Sequence, residues 1–152
     1  MLSSSMNRIC RWLSAGTAAC LLAGTVACVL SACSNVSADT VAVKGDAVHG
    51  KELYEVCAGC HKLQTNSVGP KHCGLFGRPA GTVPGFVYSE AMRTSGIVWD
   101  AQKLDEFLTS PIEYVNGTLM GFAGFSESSE RADVIAYLYQ VNNDPAVCPR
   151  AP

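Results

Sequence analysis

The chain contains no internal repeat and no stretch of alternating apolar and polar residues that reads as a strand. That absence argues against sandwich and barrel architectures. Positive charge is scarce. Of 11 Lys and Arg, Arg8 and Arg11 fall in an N-terminal leader. The remaining nine face 13 Asp and Glu, a balance of −4, which argues against nucleic acid as a partner. Length is modest too: of 152 residues, roughly a hundred remain once a leader is removed, few for a self-sufficient apolar core. A second Cys-x-x-Cys is also missing, so any chemistry of that motif occurs once.

The motif that is present reads Cys57-Ala58-Gly59-Cys60-His61. Cys-x-x-Cys-His is the pattern for covalent attachment of a c-type haem. The thiols add across two vinyl groups of the porphyrin, and i, i+3 spacing on a helical turn brings them to one side. His61 then lies beneath the ring with a nitrogen facing the iron. A thioredoxin-like dithiol and half of a zinc site are the competing readings. The adjacent histidine and the lack of a second Cys-x-x-Cys weigh against both.

The first forty residues read as a targeting segment. Arg8 and Arg11 form a positive n-region, and Trp12 to Ala32 is uncharged and mostly apolar. That run nearly spans a bilayer, so a retained helical anchor is one reading. Its end, Leu30-Ser31-Ala32-Cys33, resembles the lipobox of bacterial lipoproteins, which implies lipidation of Cys33 after cleavage. Val36-Ser37-Ala38 offers a competing small-x-small cleavage site. The expected organisation is a signal peptide over 1–32, a tether over 33–44, a domain over 45–142 and a C-terminal tail over 143–152. Each route leads outside the cytoplasm, to the periplasm by the lipoprotein reading, where disulfides are feasible.

Four helices are expected. The first runs from Asp46, its N-cap, to Cys57, with Gly50, Leu53, Tyr54 and Cys57 on one face. A glycine there costs about 1 kcal/mol against alanine, which a close helix crossing would explain. The second runs from Ser89 through Thr94. The third, capped by Asp100, buries Leu104, Phe107 and Leu108 and stops before Pro111. The last runs from Ser129 to Asn142 and buries Val134, Ile135, Leu138 and Val141. The rest is Gly- and Pro-rich loop. The fold class is all-α and loop-rich.

Iron held by His61 needs a sixth ligand. Met120 lies in Asn116-Gly117-Thr118-Leu119-Met120-Gly121-Phe122, where glycines permit close approach. Met92 sits in a short helical pattern, where methionine is ordinarily core filler. His72 follows Gly69-Pro70-Lys71, too near His61 to reach the opposite face easily. Met120 is preferred. His/Met ligation favours ferrous iron and leaves no open position for oxygen or peroxide chemistry.

Residues 45–141 resemble the class I cytochromes c of mitochondria and alphaproteobacteria. The resemblance runs through Gly45-Asp46, Gly50, Cys57 to His61, Gly69-Pro70, Gly74-Leu75-Phe76-Gly77-Arg78, Pro84-Gly85-Phe86 and Tyr88. It continues through Gly96-Ile97, Trp99, Pro111, Gly117-Thr118, Met120, Phe122-Ala123-Gly124 and Ile135-Ala136-Tyr137-Leu138. It implies four helices wrapped around one covalent haem c, with the first and last crossing at Gly50 beside Tyr54 and Tyr137. It further implies that the Pro70 carbonyl accepts from His61. Arg78, Tyr88 and Trp99 would surround a haem propionate, and Thr118 would sit beside the Met120 loop.

The departures carry information. Phe107 stands for a usual tyrosine and Met92 for a usual polar residue, making the methionine side more apolar. Lys71-His72-Cys73 replaces the usual residues after Gly-Pro, with His72 in an apolar position. Cys73 and Cys148 remain once Cys57, Cys60, Cys33 and the leader's Cys10, Cys20 and Cys28 are assigned; a disulfide between them is expected, with two free thiols the alternative. Ile112, Glu113 and Leu119 stand where docking lysines are usual, so the docking face is neutral, apolar or acidic.

The function implied is a monohaem one-electron carrier between membrane or periplasmic redox proteins, an oxidase, reductase or dehydrogenase, and not an enzyme. A peroxidase-like haem enzyme or a sensor subunit is the alternative, and both require a labile sixth ligand.

Overall fold

The computed structural model describes residues 43–150. The leader, Cys33, the competing cleavage site and all but the end of the tether lie outside them. Six helical segments follow in order: α1 (Ala47–Leu53), α2 (Glu55–Ala58), α3 (Glu90–Arg93), α4 (Ala101–Thr109), α5 (Pro111–Tyr114) and α6 (Ser128–Asn143). Three of them start where short polar residues satisfy the free backbone donors. The Asp46 carboxylate accepts from the N–H of Val48 and His49, Ser89 from Met92 and Asp100 from Lys103.

Two features differ from the four helices expected. The first helix is interrupted at Tyr54, because its carbonyl receives the N–H of both Cys57 and Ala58 at 2.9 Å, tightening the turn. Tyr54 keeps helical angles, φ −64° and ψ −17°, so the chain carries on into α2. The stretch after α4 then winds one more turn, α5. Pro111 opens it, since its fixed φ and missing N–H suit a first helical position.

Helix α1 crosses α6 at Gly50. A Cβ on Gly50 would overlap the Asp133 carbonyl, so the glycine is required by the closeness of the two backbones. The Asp133 side chain reinforces the crossing. It accepts from the Asp46 N–H at 2.6 Å and pairs with His49 Nδ1 at 2.8 Å. Tyr54 and Tyr137 pack beside it with ring centroids 5.1 Å apart.

The inner stripe of α6 is Val134, Ile135, Leu138 and Val141. Each such side chain contributes about 1.5–3 kcal/mol on full burial. Helix α4 lays Leu104, Phe107 and Leu108 into the same core. Arg131 of α6 is buried as well, and its charge is compensated. Its Nε donates to Asp105 of α4 at 2.8 Å, and Nη1 donates to the carbonyls of Phe125 at 2.8 Å and Ser126 at 3.0 Å.

Among the described residues the extended structure amounts to one antiparallel bridge, Pro79 with Val98. Around it the Gly77 N–H donates to the Trp99 carbonyl at 2.7 Å and the Trp99 N–H to Arg78 at 3.0 Å. That pairing sets Arg78 beside Trp99 although they are 21 positions apart in the chain. The tail beyond α6 returns to the loop after His61. Cys73 and Cys148 form a disulfide with Cα atoms 5.3 Å apart. Gln64 donates to the Val147 carbonyl at 2.6 Å, and the Leu75 N–H to the Asn142 side chain at 3.0 Å. No helix among the described residues is long and apolar enough to cross a membrane.

Candidate cofactor site

A mainly apolar cleft of about 540 Å³ opens between the loop after α2, helix α4, the segment around Met120 and the inner face of α6. Cys57, Cys60, His61 and Pro70 line it, as do Arg78, Tyr88 and Trp99. Phe107, Thr118 and Met120 complete the set that sequence reasoning singled out. Cys73 and Cys148 stand outside it, behind the loop.

The attachment motif occupies a tight turn. The Cys60 N–H donates to the Cys57 carbonyl at 3.0 Å, and the His61 N–H to the same oxygen at 2.8 Å. Burial pushes the Cys57 thiol up to about 11. Oxidoreductase dithiols need the opposite shift. Among the described residues, no three His, Cys, Asp or Glu side chains converge to hold a bare ion. The shift of Cys57 counts against the dithiol reading.

His61 is held through one nitrogen. Its Nδ1 lies 2.7 Å from the Pro70 carbonyl. A carbonyl can only accept, so Nδ1 carries the proton and Nε2 keeps its lone pair. Burial lowers the imidazole's pKa, and the bond to Pro70 opposes that shift. Gly69 presses on the ring, since a Cβ there would stand 2.6 Å from Nδ1 and 2.7 Å from Nε2.

The other ligand candidates fall in different places. His72 stacks on His61, with centroids 4.2 Å apart and an interplanar angle of 21°. Its Nδ1 shares a hydrogen bond of 2.9 Å with the Tyr54 hydroxyl. Burial holds its pKa well below the ordinary histidine value, with His61 and Arg78 acting in the same direction. Met92 is buried in α3 at the edge of the cleft. Met120 lies half-buried on the 115–125 segment. That segment is pinned at its start by the Thr118 N–H to the Val115 carbonyl at 2.9 Å, and at its end by Phe125 N–H to Leu108 at 2.8 Å.

Near the Pro79–Val98 bridge, Arg78 donates to the carbonyls of Cys73 and Lys71, both at 3.2 Å. Burial lowers the pKa of its guanidinium and raises that of the Tyr88 hydroxyl, which Arg78 partly offsets. Trp99 is buried, tilted against Phe107 with centroids 5.1 Å apart. The cleft therefore offers two thiols, the imidazoles of His61 and His72, the thioethers of Met92 and Met120 and a single guanidinium along apolar walls. That donor set fits a porphyrin with two vinyl groups, an iron and an anionic substituent.

Leu119, which lines the cleft, is 79% exposed; Ile112 of α5 is 55% exposed and Glu113, next in sequence, is exposed too. Arg78 is the single Lys or Arg among the residues that line the cleft. Two groups near the site carry no clear signal in the sequence. The bond between Tyr54 and His72 needs a returning loop to exist, and Arg131 finds its carbonyl partners only in the folded chain. The odd polar residue at His72 was the one available hint.

Comparison with known proteins follows the same lines. The family model described as Cytochrome c matches residues 47–142. A cytochrome c of Euglena viridis is 48% identical over 97 residues, which are 62% of this chain and 95% of that protein. A cytochrome c2 of Blastochloris viridis is 40% identical over 68% of this chain and 84% of its own. Among solved structures, cytochrome cH from Methylobacterium extorquens superposes with a TM-score of 0.62 at 38% identity, over 63% of this chain and 99% of that one.

Proposed function

Because the chain belongs to the class I cytochrome c family, a family of monohaem electron carriers with one covalent haem c, we propose that His61 and Met120 are the axial ligands of its iron. Cys57 and Cys60 are then the points of attachment. The haem supplies a one-electron Fe(III)/Fe(II) couple, and a His/Met pair favours the ferrous state. His61 keeps Nε2 free by committing Nδ1 to the Pro70 carbonyl, and this hydrogen bond at 2.7 Å is the observation that carries the reading. His72 is unsuited to the sixth position, because its ring runs alongside His61.

The remaining residues shape the environment. Arg78, Tyr88 and Trp99 offer donors to a propionate otherwise shielded from water. Phe107 and Met92 keep the methionine side apolar. Thr118 accepts from the Met120 N–H at 3.3 Å and steadies the turn that presents the sulfur. With both axial positions filled, the protein passes electrons between redox proteins and catalyses no reaction of its own. The decisive experiment replaces Met120 with alanine. The oxidised wild type should show the weak long-wavelength red band of a methionine–iron(III) bond, and Met120→Ala should lose it and bind carbon monoxide rapidly when reduced. A wild type lacking the band sinks the assignment.

The protein works outside the cytoplasm, in the periplasm, held to a membrane by lipid on Cys33, and Cys73–Cys148 persists there as a disulfide. The pairing of Cys73 with Cys148, which an oxidising compartment favours, and the lipobox-like Leu30-Ser31-Ala32-Cys33 support this. Palmitate should label the wild type and not Cys33→Ser; label in both would rule the anchor out.

A further inference from the structure

We propose that Tyr54 and His72 form a positioning couple that sets the plane of the His61 imidazole. The inference rests on the reading of His61 as an axial ligand. It goes beyond that reading in naming what fixes the ring's rotation.

The hydrogen bond from His61 Nδ1 to Pro70 fixes one atom of the ring, and Gly69 approaches it closely without offering a flat face. A ring held in this way can still tilt about the Pro70 contact. A flat neighbour lying nearly parallel removes this freedom, and His72 is such a neighbour, 4.2 Å away at 21°. His72 would itself swing about its side-chain bonds were it not tethered. The Tyr54 hydroxyl tethers it at Nδ1, 2.9 Å away.

Each support of the couple leads back to a rigid part of the fold. Tyr54 is 5% exposed, at the crossing of α1 and α6, and its ring packs on Tyr137. The backbone of His72 is clamped to the strand of chain just after the motif. Its N–H donates to the Lys62 carbonyl at 3.1 Å, and that of Cys73 to Leu63 at 2.7 Å. The orientation of His61 is thereby referred, through two side chains, to the helix crossing. An aliphatic residue at position 72 would fill the space and supply neither a flat face nor a polar atom. Phenylalanine at position 54 would preserve packing and leave His72 untethered. The two polar groups explain each other, since each would be a cost in this apolar setting without its partner.

The plane of an axial imidazole selects which iron d orbital it overlaps, so its rotation is read in the g-values of the low-spin ferric haem. The reduction potential follows the ligand's donor strength. Electron paramagnetic resonance and potentiometry on the holoprotein would compare wild type with Tyr54→Phe, His72→Leu, His72→Phe and the double variant Tyr54→Phe/His72→Leu. Both Tyr54→Phe and His72→Leu should shift the g-values and the potential. The double variant should shift no further than His72→Leu, because the tyrosine acts through His72. His72→Phe, which keeps a flat face, should stay closer to wild type than His72→Leu. Unchanged g-values in both single variants, with only a lower Tm, would reduce the pair to packing and overturn the proposal. So would a double variant whose shifts add. A wild type with no low-spin ferric signal would overturn the axial assignment itself, and the couple with it.

Discussion

On the His61 side of the cleft nearly every group is held more than once, whereas on the Met120 side the chain is held at its two ends. His61 has Pro70, Gly69 and His72 against it. The loop bearing those residues is stitched to Lys62 and Leu63 by backbone bonds and to the tail by a disulfide. Met120 sits between Val115 and Phe125, next to the exposed Leu119. Local stability follows the density of such ties. The comparison teaches that the His61 imidazole is set by the fold, whereas the Met120 thioether is carried on a span of chain held at its ends.

The comparison breaks most completely if the His61 side loses its covalent tie. Replacing Cys73 and Cys148 by alanine reopens a loop whose ends are 75 residues apart, worth about 4 kcal/mol by chain entropy. Urea unfolding should show a lower midpoint, with the long-wavelength methionine band intact before unfolding. An unchanged midpoint would mean the disulfide does not stabilise the fold.

Next in size is the anchor of the other side. Arg131→Met would strand the carbonyls of Phe125 and Ser126 and release Asp105, costing about 2–3 kcal/mol. Here the methionine band should disappear at lower urea than helical circular dichroism. Coincident loss of the two signals would show that the loop is no less stable than the rest.

A smaller effect concerns the crossing, which serves both sides equally. Asp133 accepts from His49, which raises the His49 pKa above 6.5. A folded-state pKa above the unfolded one means the added stability is complete below the unfolded value. It is lost as pH rises through the folded value. The urea midpoint should therefore decline as pH rises above about 6.5, and His49→Leu should flatten that decline. A slope unchanged in the variant would assign it elsewhere. The smallest effect expected is that of salt. With Ile112, Glu113 and Leu119 exposed and no lysine lining the cleft, the rate of electron transfer to a redox partner should vary little with ionic strength. A steep fall with salt would reveal a charged docking face not visible around the cleft.

The parts of the molecule legible in the sequence are those with short-range causes. Asp46, Ser89 and Asp100 announce helix starts because capping is settled within three residues. The α6 stripe follows from helical spacing, and the attachment motif is local by its chemistry. The interruption at Tyr54 was not legible, since it depends on one carbonyl taking two donors. Nor was α5, because Pro111 reads equally as an end and as a beginning. The bond between Tyr54 and His72 and the partners of Arg131 depend on where loops return, which residue spacing does not encode. Arg78 and Trp99 were anticipated through family resemblance rather than from pattern, Met120 from its glycine-rich loop, and all three line the cleft.

The crossing at Gly50 also bears on the order of events during synthesis. His49 and Asp133 are 84 residues apart, so the first helix emerges long before its partner exists. Val134 and Leu138 of that late helix form part of the cleft wall. A chain made N-terminus first thus presents Cys57 and Cys60 while one side of their enclosure is still unmade. The topology itself leaves both thiols open from that side until α6 arrives.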